Sequence, residues 1–379
     1  MRKQTIFAML LAAGSTLLAL LACEAILRNF APQPDPYRSF RYPPTPFKPD
    51  LKYLFDTGGN LNGIVGPTRF STNNAGLRGD HLTRPKPPDE YRTIALGGST
   101  TRCTYVDDDA VWTAVLQRRL RIPGRRVKVY NAGVDGERSY GHYVSFASRW
   151  ILESPDLIIV LAGVNDLTDN LCRHHRSGPG TANRDASRIS SLTAFKLLAT
   201  DLHVARLLVH AAKRLGGREY FTAEGWLIQD LAGKAYLASM ERRRAAPVDE
   251  GARIEVDTSG ISQHLRLLIR LAKANGIEVL LLTQPTLWKR EPTAAEDRIL
   301  HMDYRCGKRY PPHVLQAALA AYNENTRQIA ADEGALCLDL AALLPPTLDY
   351  FYDDCHFNTE GCRFVGQAIA DYLREQDLR

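Results

Sequence analysis

Several signatures are missing from this chain, and each absence removes a class of protein. No C-x-x-C pair occurs among the seven cysteines, so the paired ligand spacing of structural zinc sites is absent. No G-K-[ST] closes the Gly97-Gly98-Ser99 turn, which excludes a P-loop for nucleotide phosphates. No internal repeat is visible. Neither sign of charge dominates: 48 basic and 42 acidic residues leave +6, and the basic ones are scattered apart from short runs such as Arg242, Arg243 and Arg244. A nucleic-acid partner is not expected, because such proteins gather their basic residues on one face. The composition, 45% hydrophobic and 24% charged, is that of an ordinary globular chain and excludes wholesale disorder, collagen and coiled coil.

What is present begins with an address. Arg2 and Lys3 precede residues 5–23, which carry no charge. That run makes about 28 Å of helix, close to the ~30 Å of a hydrocarbon core. The apolar region of a cleaved secretory signal is shorter, about 7–15 residues, so residues 1–30 read as an uncleaved signal anchor. Leu20, Leu21, Ala22 and Cys23 loosely match a lipobox, which leaves cleavage and lipidation at Cys23 as a variant. The positive residues stay in the cytoplasm and the remainder is exported, to the periplasm or cell surface. Six further cysteines, Cys103, Cys172, Cys306, Cys337, Cys355 and Cys362, fit an oxidising compartment, and their spacing does not select among fifteen pairings. Cys355, His356 and Cys362, or Cys172 with His174 and His175, are the other metal-ligand groupings weighed, and neither has the paired spacing.

Residues 31–90, rich in Pro, Gly and Asn, read as an extracytoplasmic linker and irregular approach segment, followed by one domain over 91–379. In that domain short apolar runs end in small or polar residues: Thr93–Leu96, Val127–Tyr130, Leu157–Leu161, Ile277–Thr283 and a weaker Ala335–Leu340. Helical patterns lie between them at 109–121, 138–152, 260–275, 313–333 and 360–375. The third carries Ile261, Leu265, Leu268, Ile269 and Ala272, the spacing of one buried face. Strands alternating with helices predict a parallel sheet covered on both faces, with ligands beyond the carboxyl ends of its strands. Residues 171–258 break the rhythm and read as a helical insertion, with helices near 191–215 and 225–244.

Four strand ends carry chemistry. In Gly97-Gly98-Ser99-Thr100-Thr101 the glycines allow a sharp turn that leaves a serine hydroxyl at a helix start. A plain Gly-Ser turn explains the piece alone, and Thr101 stands where the G-x-S-x-G elbow needs glycine. Asn131 to Gly136, NAGVDG, finishes a strand or turns a backbone N–H toward a ligand. In Gly163-Val164-Asn165-Asp166, Asn165 is an uncharged amide able to donate to an oxyanion, or a side chain tying a turn, the role assigned to Asp166. In Tyr352-Asp353-Asp354-Cys355-His356-Phe357-Asn358, an imidazole suited to proton transfer follows an Asp by three residues.

Taken in this order, the blocks resemble the SGNH hydrolases, the GDSL-type esterase superfamily, named for Ser, Gly, Asn and His in four blocks. The resemblance covers about residues 90–376 and implies a three-layer α/β/α, flavodoxin-like domain of about five parallel strands. It implies Ser99 as nucleophile, His356 as general base and Asp353 as its partner, with Gly136, Asn165 and the Ser99 N–H forming the oxyanion hole. Many members have Asp before the serine, where this chain has Gly98. The anchor, the NNAGLRG stretch and the L-G-G-S-T-T form look like the membrane-anchored bacterial branch.

The activity so implied is serine-dependent ester hydrolysis outside the cytoplasm, on an ester-bearing small molecule or an acylated, notably acetylated, glycan, with no metal or organic cofactor. An O-acyltransferase acting on an envelope polysaccharide keeps the same site. A non-catalytic glycan-binding or assembly protein on the same fold is the alternative from another class.

Overall fold

In the computed structural model, which describes residues 2–30, 47–176, 202–204, 207–208, 227–229 and 240–376, the N-terminal run winds as α1, Arg2–Phe30. Within it Phe7–Phe30, of mean hydropathy 2.1, is long and apolar enough to cross a membrane. The helix continues past the uncharged run, where Glu24 and Arg28, one turn apart, pair at 2.7 Å. Glu24 also accepts the Val204 N–H. This helix belongs to one unit, Met1–Thr45 with Pro179–Gly225, and Pro46–Gly178 with Trp226–Arg379 forms the other.

The second unit opens with β1, Lys52–Phe55, paired antiparallel with β2, Thr68–Ser71. The segment expected to be irregular therefore contains a hairpin, and Phe47, Leu61, Ile64, Leu77 and Leu82 enter the main core. Its apolar residues are spaced singly, which hides them from periodicity. Side chains close its turns: Asn73 Oδ1 accepts the Ala75 and Leu77 N–H groups at 2.9 and 3.1 Å.

The main sheet is built in turn. β3, Glu90–Gly97, leads to α2, Ser99–Arg102, and α3, Trp112–Arg119. β4, Arg126–Gly133, is followed by α4, Ser139–Ser148. β5, Leu157–Leu161, is followed by α5, Val164–Arg176, a helix that runs on into the expected insertion. Residues 227–229, expected in a helix, form β6, paired parallel with β1. A short apolar run is ambiguous between helix and strand, and the β1 edge supplies the backbone partners. Residues 240–245 are helical, as are 203–204 and 207–208. The remainder of both expected insertion helices lies outside the described residues.

The chain then forms α6, Ser259–Ala274, β7, Glu278–Leu282, and α7, Ala294–Ile299. The two-residue strands β8, Tyr304–Arg305, and β9, Lys308–Arg309, follow. α8, Pro312–Glu333, β10, Leu336–Leu338, α9, Leu340–Leu343, and α10, Thr359–Arg374, complete it.

Five strands lie in the order β4-β3-β5-β7-β10, every neighbouring pair parallel. β3 and β5 are buried along their whole length, as strands covered on both faces must be. α3 packs on α10 and β4, and α6 packs on α4 and α8. This is the three-layer α/β/α fold, with the first strand of the sheet lying between the second and third. The register aligns Gly97 with Gly133 and Leu161, then Leu161 with Leu282, and Leu282 with Leu338. Segments leaving the carboxyl ends of β4, β3 and β5 therefore emerge side by side at the point where the chain order reverses. In such sheets that is the binding crevice.

Candidate active site

Ser99 is the first residue of α2, two residues past the aligned end of β3. Its Oγ lies 2.7 Å from His356 Nε2. The other ring nitrogen, Nδ1, lies 2.7 and 2.8 Å from the two oxygens of Asp353. Asp353 is 1% exposed and also accepts the backbone N–H groups of Cys355 and His356 at 3.0 and 2.9 Å. Burial alone would lower the imidazole pKa, but the Asp353 charge and hydrogen bond win and raise it well above 6.5. The Tyr352 ring stacks on His356 at 5.3 Å with 6° between planes, which fixes the ring's remaining freedom.

The neighbouring strands supply further polar groups. Gly136, at φ +74°, turns the loop after β4 through a conformation that favours glycine. Asn165, in the first turn of α5, donates its Nδ2 to the Glu137 carbonyl at 2.8 Å. An amide nitrogen carries two hydrogens, so one remains for a ligand. The absent Asp before the serine has a steric counterpart here: a Cβ on Gly98 would approach Asn165 Nδ2 to 2.4 Å.

With that geometry in hand, the comparison with protein families is decisive: the GDSL-like lipase/acylhydrolase model matches residues 95–364. The chain belongs to that family. Membership places it among ester hydrolases. No curated protein matches it in sequence. Among solved structures, an acetylxylan esterase from Geobacillus stearothermophilus is similar at 13% identity and a TM-score of 0.40, covering 76% of this chain and 96% of its own. A GDSL-like lipase from Bacteroides thetaiotaomicron is similar at 12% identity and a TM-score of 0.40, covering 77% and 92%. At such identities and scores they add nothing to the family assignment.

Of the two adjacent carboxylates, Asp353 faces His356 and Asp354 faces away. Asp354 is fully buried and accepts from Trp288 Nε1 at 2.8 Å and from the His301 and Met302 N–H groups at 2.6 and 2.9 Å. Burial opposes its ionisation, but the His301 ring and the His301 and Met302 N–H groups hold its pKa well below the usual range. It ties the histidine loop of this GDSL-like chain to the segment after β7.

Further side chains, Asn131 of the second block among them, hold the loops. Arg78, buried, donates to the Arg102 and Cys103 carbonyls, both at 2.7 Å, and to Val106 O at 2.9 Å, capping the end of α2. Asn131 Nδ2 donates to Thr101 O at 2.6 Å. Asn62 donates to the Leu348 and Phe351 carbonyls. Arg78 lies in the NNAGLRG stretch, so its signal was a charged residue among small ones; Asn62 gave none.

The cysteines resolve as follows. Cys172 and Cys306 form a disulfide with Cα atoms 5.6 Å apart, which removes Cys172 as a metal ligand; the side chains of His174 and His175 lie outside the described residues. Cys362 packs against Cys103, Sγ to Sγ 3.6 Å. Among the described residues two groups bring potential metal-ligating atoms together, Asp353-Cys355-His356 and His301-Asp353-Asp354. In both, the carboxylate oxygens are already engaged by N–H donors or imidazole rings.

Proposed function

We propose that this chain is a serine ester hydrolase in which Ser99 is the nucleophile, His356 the general base and Asp353 its partner. The observation that carries the reading is the unbroken line from Asp353 through His356 to Ser99, at 2.7 Å on each side of the ring. Ser99 Oγ attacks the ester carbonyl while His356 Nε2 takes its proton, and Asp353 stabilises the resulting imidazolium. The oxyanion accepts from the Ser99 and Gly136 N–H groups and the second hydrogen of Asn165 Nδ2. Each donor contributes about 3 kcal/mol in the transition state. His356 then protonates the departing alcohol, and water, activated by the same imidazole, releases the acid.

The reading includes tethering by α1 with the catalytic unit outside the cytoplasm. It is supported by the length of the apolar span, by Arg2 and Lys3 before it and by the Cys172–Cys306 disulfide, since disulfides persist in oxidising compartments. An acetylated envelope or extracellular glycan is the substrate class that fits such a location. The test is fluorophosphonate labelling of the full-length protein in detergent, followed by esters of graded acyl length and acetylated glycans. Labelling at Ser99 with release of acid supports the reading; labelling elsewhere, or none, overturns it. Adding a glycan acceptor to an activated acetyl ester separates hydrolysis from acyl transfer.

A further inference from the structure

The ends of α4 and α5, with one side chain of α6, hold a second serine, aspartate and histidine. Ser139, buried at the start of α4, places its Oγ 2.5 Å from Asp166 Oδ1 and 2.9 Å from His264 Nδ1. Its backbone N–H also donates to both Asp166 oxygens at 3.2 Å. A carboxylate only accepts, so the Ser139 proton points at Asp166 and the His264 Nδ1–H donates to Ser139. The imidazole is then not the acceptor of the hydroxyl proton, so the serine-to-histidine transfer of a second nucleophile is not set up here.

Its place in the fold gives it another use. Gly136 and Asn165 leave β4 and β5, which are not neighbours: β3 lies between them. At about 4.8 Å per strand their ends stand roughly 10 Å apart, and no ladder hydrogen bond joins them. Their spacing has to be set above the sheet. Three consecutive residues after Gly136 do this, each bonded to the start of α5: Glu137 O to Asn165 Nδ2, Arg138 to Asp169 at 2.7 Å, and Ser139 to Asp166. The Arg138 pair is partly exposed and contributes little; the contact of buried Ser139 with half-buried Asp166 is charge-assisted, the stronger kind.

We propose that Ser139 and Asp166, backed by His264, are positioning residues that set the separation of the Gly136 and Asn165 oxyanion donors. This rests on the oxyanion roles given to those two residues. The Ser139→Ala and Asp166→Asn variants, with Asn165→Ala beside them, are assayed for kcat, KM and inhibition by a boronic acid that mimics the tetrahedral intermediate. Folding is followed by circular dichroism and thermal melting. Ser139→Ala should lower kcat by about tenfold, a scale in keeping with small misplacements of reacting groups, with KM nearly unchanged and boronate affinity weakened by the same factor. Asp166→Asn, which keeps the shape, should move in the same direction. In combination with Asn165→Ala the Ser139→Ala loss should shrink, since both act on one donor.

Unchanged kcat and boronate affinity in both folded variants would overturn the proposal, as would a lower melting temperature alone. Should Asn165→Ala itself leave kcat and boronate affinity intact, the oxyanion assignment fails instead, a result independent of the brace.

Discussion

The two serine, histidine and aspartate clusters contain the same residue types and suit different chemistry because their hydrogen bonds run in a different order. Around Ser99 the imidazole stands in the middle, bonded on one side to Asp353 and on the other to the hydroxyl. Around Ser139 the hydroxyl stands in the middle, between Asp166 and His264. In the first order a proton can leave serine for histidine while a carboxylate stabilises the cation. In the second it is held against a carboxylate, whose own pKa is pushed up by burial even though the Ser139 hydrogen bonds oppose the shift. Composition of a cluster says little; connectivity says which proton can move.

The largest effect that would break this contrast is at the serines themselves. Ser99→Ala should abolish ester turnover and fluorophosphonate labelling with an unchanged circular dichroism spectrum, while Ser139→Ala should still label. Retained turnover in the first variant would dissolve the distinction between the clusters. Next comes Asp353→Asn, which should lower kcat by about 10²–10⁴-fold by spoiling the tautomer and removing the stabilising charge. Asn165→Ala should cost about 10²–10³ in kcat, the scale for one oxyanion donor.

The pH profile sharpens the comparison. Asp353 raises the His356 pKa above 6.5, and only the neutral imidazole acts as base. The kcat/KM profile should therefore fall on the acid side with its midpoint above 6.5, since that profile reports the free enzyme. In Asp353→Asn the Asp353 charge no longer opposes burial, so the midpoint should move down. A midpoint that stays in place would show that another group sets it.

The smallest effect on rate belongs to the neighbouring acid. Asp354→Asn should leave kcat largely intact but destabilise the fold by about 1–3 kcal/mol, because buried donors lose their charged acceptor; thermal melting measures it. A crippled kcat with an unchanged melting temperature would move the acid assignment by one residue.

Much of this was legible beforehand, for identifiable reasons. All five strands of the main sheet fall on apolar runs read from the sequence, since fully buried parallel strands are continuous apolar stretches ending in turn residues. The family too could be recognised, because three of its four blocks sit at the ends of β3, β4 and β5; the fourth, expected at a strand end as well, stands instead just before α10. The segment before β3 was misread as irregular, since its apolar residues are single and its turns are closed by Asn73. Residues 227–229 were misread as helix because nothing local announces that β1 offers them an edge. The Asn62 contacts, the Tyr352 stack and the Ser139 brace gave no pattern at all.

The difference is one of range. By itself the sequence determined the alternation of strand and helix, the apolar span of α1, the family, and which residues stand at the strand ends, because these follow from side-chain chemistry repeated over a few neighbouring positions. Only the tertiary structure decided that Asp354 is tied to Trp288 and to the His301 and Met302 N–H groups, that Cys172 pairs with Cys306, and that Ser139 meets a histidine 125 residues away. Those outcomes depend on the register that brings β4, β3 and β5 to one edge, and no short window of residues contains it.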